Sequence, residues 1–293
     1  MSNPKVGRQT SAVIIKDNLS SFDELYEQGS QLSFQLIIVD LQKVVCDAIQ
    51  KCVPVSALEN NEIIVHQGTL EDYLGNSNNN IDSIVVSSNA FGLMDHGFDR
   101  SICNILGNNI ETQLRKKIIE QYNGEQPVGT TIILPINGDK NVKYIINSPT
   151  RRVNYSIKGT DNVYLSMKSL CNSIKHWNID NNDDNNKKIH KVLCTGFGCF
   201  YGGINPKESA RQTILAWLFS RLNKPNYNDI SWEYAETIQS YVQSGSFYSV
   251  LDYVIQNPNS LNQNYRSKLK QALFDSSNQS NIKTNSKKSC IIM

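Results

Sequence analysis

The sequence predicts an α/β layered fold, and three features carry that expectation. Short runs rich in Ile and Val alternate with amphipathic stretches up to about residue 224, the pattern of strands and helices stacked in layers. Most of the strand-like runs are apolar at consecutive positions, as strands covered on both faces are. Two glycine-bearing loops each stand between a strand-like run and a helix-like one, where the amides at a helix start face an anion.

Taken in order, the strand candidates are residues 34–41, 62–66, 82–87, 130–136, 143–147 and 191–195. Between them, Ile110, Leu114, Ile118 and Tyr122 recur at helical spacing, and so do Val163, Met167, Leu170, Cys171, Ile174 and Trp177. A third helix has a marked start: Asn205 caps it, Pro206 fits its first turn, and Glu208 completes an Asn-x-x-Glu box. Its apolar stripe is Ala210, Ile214, Trp217, Leu218 and Leu222. Asn-rich stretches at 76–80 and 178–186 read as loops, because such composition buries no apolar area. Further helix-like pieces lie at 232–242, 247–255 and 261–274, and a polar tail follows from 275. The expected organisation is an N-terminal extension over 1–33, one α/β domain over 34–224, a helical extension over 225–274 and a flexible tail over 275–293.

Composition narrows the function classes. With 29 Lys and Arg against 27 Asp and Glu, and no basic cluster in the middle of the chain, nucleic acid is not the expected partner. Seven cysteines without a Cys-x-x-Cys pair, and Cys194 with Cys199 at an unsuitable spacing, argue against a zinc site and for reduced thiols in a cytosol. The N-terminus shows no apolar signal region and no run reaches the roughly 20 apolar residues of a spanning helix. The chain is expected on the cytoplasmic side, with no metal and no cofactor; an oligomeric state is not set by the sequence.

The loops read Asn89-Ala-Phe-Gly-Leu-Met-Asp-His-Gly-Phe-Asp99 and Thr195-Gly-Phe-Gly-Cys-Phe-Tyr-Gly-Gly-Ile204. A diphosphate needs several donors at once, and pre-aimed amides supply them without the entropic cost of ordering side chains. Gly196, Gly198, Gly202 and Gly203 permit close approach in the second loop, and the partial positive end of a following helix contributes about 0.3–1 kcal/mol toward an anion. A nucleotide diphosphate ligand is the expectation.

The loop pattern resembles the macro domain family, and the bacterial and phage-like branch above all. An Asn at a strand end is followed ten positions later by an Asp, here Asn89 and Asp99, and Ser148-Pro-Thr-Arg-Arg-Val153 adds to the likeness. The resemblance covers about residues 34–224 and implies a three-layer α/β/α fold with a mixed, mostly parallel sheet of six or seven strands. It implies binding of ADP-ribose or an ADP-ribosylated protein, and in several branches hydrolysis of the ADP-ribosyl bond or of a related phosphate. By that resemblance Asn89 bonds a hydroxyl of the distal ribose and Asp99 orients or activates a water. Gly97, Gly196, Gly198, Cys199, Phe200, Tyr201, Gly202 and Gly203 line the ligand. Phe200 and Tyr201 read equally as ribose-packing or core aromatics, Arg151 and Arg152 as phosphate-facing or surface groups, and His96 as a further candidate acid.

Three departures bear on activity. Gln67-Gly68-Thr69-Leu70 lacks the Asp by which much of the family reads adenine, Val86-Ser-Ser-Asn89 lacks the first Asn of the usual Asn-Ala-Ala-Asn, and Met94-Asp95-His96-Gly97 replaces a longer glycine run. A reader of ADP-ribose without turnover, and a degenerate scaffold for protein interaction, therefore stand beside the hydrolase.

The last four residues, Cys290-Ile-Ile-Met293, form a Cys-aliphatic-aliphatic-X sequence whose Met favours a farnesyl group on Cys290. One lipid chain anchors marginally, and Lys283, Lys287 and Lys288 add about 1 kcal/mol each near an anionic leaflet. The expectation is a cytoplasmic protein partly anchored on the cytoplasmic face of a membrane.

Overall fold

Six strands make a single sheet in a computed structural model that describes residues 22–76, 79–87, 89–136, 142–222 and 230–242. In chain order the elements are α1 (Phe22–Glu27), β1 (Gln35–Asp40), α2 (Lys43–Cys52), α3 (Val55–Glu59), β2 (Ile63–Gln67), α4 (Leu70–Gly75), β3 (Ser83–Val86), α5 (Gly97–Leu106) and α6 (Asn109–Tyr122), followed by β4 (Ile132–Pro135), β5 (Tyr144–Asn147), α7 (Asn162–Asp180), β6 (Lys191–Cys194), α8 (Pro206–Arg221) and α9 (Trp232–Val242). Every strand candidate became a strand, with ends shifted by two residues at most.

The order across the sheet is β2-β1-β6-β3-β5-β4, with β4 antiparallel to β5 and every other pair parallel. Successive residues of a strand face opposite sides, and here both sides are apolar. Leu36, Ile38, Val85, Ile146 and Val192 join one core with α2, α7 and α8, while Ile37, Val39, Ile84, Val86, Ile145 and Leu193 join a second with α4, α5 and α6. Helices on both faces of a mostly parallel sheet give the three-layer α/β/α architecture, and they explain the consecutive apolar runs.

α8 starts as its sequence implies: Asn205 accepts a hydrogen bond from the Lys207 N–H at 2.9 Å, behind Pro206. The box is not closed, however, because the Glu208 carboxylate turns outward to Arg211 and Gln212. The single stripe expected for this helix is also too narrow. Residues from Ser209 to Arg221 are all buried except the half-buried Arg211, since α1 and α9, outside the 34–224 span, pack onto the same core through Leu25, Tyr26 and Val242. Arg211 donates to the carbonyls of Tyr241 and Val242, so a side chain of α8 satisfies the last turn of α9.

The 178–186 loop begins later than its composition suggests, because α7 runs to Asp180. Asn178 is buried within it: its amide accepts from the Ile189 N–H and donates to the Ile189 carbonyl, both at 2.8 Å, and donates to Ser33. The polar side chain thus satisfies the backbone that leads into β6. Among the described residues no helix is long and apolar enough to cross a membrane. Residues 247–255 and 261–274, the polar tail, Lys283, Lys287, Lys288 and Cys290 lie outside the described residues.

Candidate functional site

At the carboxyl ends of the parallel strands the chain leaves β1, β2, β3, β5 and β6, and the loops enclose a cleft of about 830 Å³. β1 and β3 send their connections to opposite faces of the sheet with β6 between them, the switch-point position where open α/β sheets bind ligands. From β2 to β5 the cleft crosses four strand spacings, about 19 Å, room for a long ligand of several parts.

The floor is fixed by Asp40. One carboxylate oxygen accepts from the Thr195 hydroxyl at 2.8 Å and the Gly196 N–H at 3.2 Å, and the other accepts from the Gln42 N–H at 2.8 Å. The ends of β1 and β6 are therefore stapled together. Residue 196 is confined to glycine by space, since a Cβ there would stand 2.4 Å from Val45. Residue 198 is confined by conformation, with φ at +72°.

The first loop is held by its own first residue. Asn89 Oδ1 accepts from the N–H groups of Phe91 and Leu93 at 3.0 and 3.1 Å, and Nδ2 donates to the Leu93 carbonyl at 2.8 Å. The side chain expected to meet a ribose is thus built into the turn, at 8% exposure. α5 then opens with Gly97 at φ +54° and with no cap bond from the His96 side chain. Asp99 sits in that first turn, buried, where its charge complements the helix dipole.

The two loops meet at Tyr201. His96 of the first loop lies edge-on to its ring, Phe200 stands at right angles to it, and the Arg151 guanidinium lies 5.5 Å from the ring centre. Phe200 and Tyr201 are exposed, at 68% and 43%, so they belong to the rim of the cleft and not to the core. His96 is exposed and paired with Asp95 at 2.6 Å, which holds the Asp95 carboxyl below its ordinary value. Burial pushes the Cys199 thiol up to about 11, so it is no ready nucleophile.

Arg151 and Arg152 have different surroundings. Arg152 pairs with Glu125 at 2.7 Å on the surface. Arg151 is buried at 5% exposure beyond the end of β5, where its backbone bridges to Asn89. Burial lowers its pKa, while the nearby charge of Asp99 and then Tyr201 act in the opposite direction.

Of the residues singled out from sequence, Asn89, Gly97, Asp99, Gly196, Gly198, Cys199, Phe200 and Tyr201 line the cleft. Gly202 and Gly203 do not. The Gly202 carbonyl instead accepts from the Ile157 N–H and shapes the back of the loop. Thr69 lines the cleft but its hydroxyl caps α4, accepting from the Asp72 N–H at 2.9 Å. Asp40 and Ser87 are wall residues without a motif to mark them; an acid at the end of an apolar strand was the available signal for Asp40. Among the described residues no three His, Cys, Asp or Glu groups stand together as metal ligands. The assembled site offers amides and a guanidinium to an anion, exposed rings to a sugar or base, and one buried carboxylate.

Comparison with solved structures finds distant likenesses. The macrodomain of Mycobacterium tuberculosis DarG is 17% identical, with a TM-score of 0.39 over 49% of this chain and 86% of that one. The Oceanobacillus iheyensis macrodomain with ADP is 17% identical, with a TM-score of 0.40 over 56% and 86%. Thermosipho africanus DarTG in complex with ADP-ribose is 14% identical, with a TM-score of 0.36 over 58% and 47%. No curated protein matches the chain. The model of the Macro-like domain family matches residues 26–231, well over half the chain and the span that holds all six strands and both loops. The chain belongs to the Macro-like domain family.

Proposed function

We propose that the cleft binds ADP-ribose, free or attached to a protein. The observation that carries this reading is the meeting of the two loops around one elongated cleft at the switch point of the sheet. An anion there faces the start of α5 and the second loop, and the exposed rings of Phe200 and Tyr201 offer faces to a sugar or base. Calorimetric titration of the full chain tests it. Saturable micromolar binding of ADP-ribose, weakened about tenfold in Tyr201→Ala, supports the reading. A wild-type protein with no measurable affinity sinks it and leaves the interaction scaffold.

Hydrolysis of an ADP-ribosyl bond is the finer reading, and the buried Asp99 in the cleft wall favours it. Asp99 then orients or activates the attacking water. Turnover lost in Asp99→Ala with binding retained supports the enzyme, whereas binding without turnover in the wild type supports the reader. The lipid tether on Cys290 belongs to the same proposal, resting on the Cys290-Ile-Ile-Met293 sequence. A Cys290→Ser protein that stays with membranes on fractionation refutes it.

A further inference from the structure

Two arginines are equally buried in this protein, each at 5% exposure, and their surroundings differ in kind. Arg221 is paired with the carboxylate of Glu62 and lies over the rings of Tyr26 and Trp217. Arg151 has the aromatic face of Tyr201 but, among the described residues, no carboxylate at ion-pairing distance and no acceptor for any of its donors; the Nε of each arginine is enclosed without a hydrogen-bond partner, so the paired carboxylate of Arg221 is what separates them. It also lines the cleft. A guanidinium stays charged at any accessible pH, and a buried charge is costly unless it is paired; here the charge of Asp99 acts on Arg151 from beyond ion-pairing distance and burial still outweighs it. A site that keeps one in its wall is arranged for an anion from outside.

We propose that Arg151 is the phosphate-recognition residue of the cleft, its planar fork donating to phosphate oxygens of the ligand and completing the ion pair that the chain leaves open. The inference deepens the ADP-ribose reading and rests on it for the cleft, while its own content is the phosphate. Two sources share that chemistry: a bridging diphosphate and a phosphate monoester at one end of the ligand. The position of Arg151 explains why it serves. The Asn89 bridge ties its backbone to the first loop and Tyr201 holds its guanidinium beside the second, so a phosphate bound there touches both walls. Arg152, already paired with Glu125, is the built-in contrast.

The experiment titrates the full chain with ADP-ribose, inorganic pyrophosphate and ribose 5-phosphate, for wild type, Arg151→Gln and Arg151→Lys, with melting of each unliganded protein alongside. Arg151→Gln is expected to weaken ADP-ribose and pyrophosphate by about thirtyfold and to flatten the salt dependence. Arg151→Lys restores only part, because an ammonium lacks the fork. The unliganded Arg151→Gln protein should melt close to wild type, since the lost contacts with the Tyr201 ring and the Asp99 charge are offset by relief of a buried charge. Arg151 dependence seen with ribose 5-phosphate and not with pyrophosphate assigns the monoester. Equal affinities of wild type and both variants overturn the inference and keep the ADP-ribose reading. Arg151-dependent binding of pyrophosphate without any of ADP-ribose keeps the inference and removes that reading. A wild type that binds none of the three removes both, and a fall in melting temperature with unchanged affinity shows a structural role instead. Arg151→Lys keeps charge and bulk, so it carries the comparison if Arg151→Gln does not fold.

Discussion

The carboxylate of Glu62 and the guanidinium of Arg221, 159 residues apart in sequence, form an ion pair inside the core. The Tyr26 hydroxyl donates to the same carboxylate at 2.6 Å, so three distant segments are joined at one point. Glu62→Gln removes one charge and leaves the other buried. The expected loss is about 3–5 kcal/mol, read as a lower urea midpoint. The double variant Glu62→Gln/Arg221→Met should lose less than the two single losses summed.

Asn89 makes three hydrogen bonds within its own loop. Asn89→Ala should therefore cost about 1–3 kcal/mol of stability, quite apart from any ligand. Asn89→Asp retains both acceptor bonds and loses the donor, so its denaturation midpoint should fall between those of wild type and Asn89→Ala. Affinity measured beside stability separates the turn from the ligand contact.

Arg211 satisfies the carbonyls at the end of α9 while Glu208 holds it in place. Arg211→Ala should free Trp232–Val242 and leave the sheet intact. Hydrogen exchange is expected to rise at least tenfold over those residues, from a loss of about 1.5–3 kcal/mol, with β1 and β6 unchanged.

The Cys199 thiol, raised to about 11 by burial, gives a pH-dependent signature. At pH 8 about one thiol in a thousand is ionised, so alkylation should run on the order of a hundredfold more slowly than in the denatured chain. The folded value lies above the unfolded one, near 8.5. Its contribution to stability is thus complete below the unfolded value and is lost as pH rises toward the folded one. Chemical denaturation at pH 8 and at pH 11 checks the sign: Cys199→Ser should lose less stability between them than wild type.

The six strands were legible because β1, β3, β5 and β6 are covered on both faces, which writes apolar runs into the sequence. The start of α8 was legible because Asn205 and Pro206 act locally. What the sequence could not show were relations across the sheet. Nothing in the runs says that β6 lies between β1 and β3, and without that order neither the staple from Asp40 to Thr195 nor the place of Arg151 can be read. Asn178 misled for the same reason, since its partner at Ile189 is reached only after the chain turns back. Gly202 and Gly203 were assigned as members of the second loop, and they are not among the residues that line the cleft.

The bond from Thr195 to Asp40 spans 155 residues, and this has a consequence for synthesis. At about 5–20 residues per second, β6 leaves the ribosome roughly ten to thirty seconds after β1. Until then β1 has one of its two partners, β2, available and lacks the other, so any early pairing of β1 with β2 leaves an apolar edge open in the middle of the future sheet. That edge is covered in the finished fold only by β6. Slow codons or a stalled ribosome between β3 and β6 should lengthen the interval before β6 arrives and turn product into aggregate, without any change in the finished molecule.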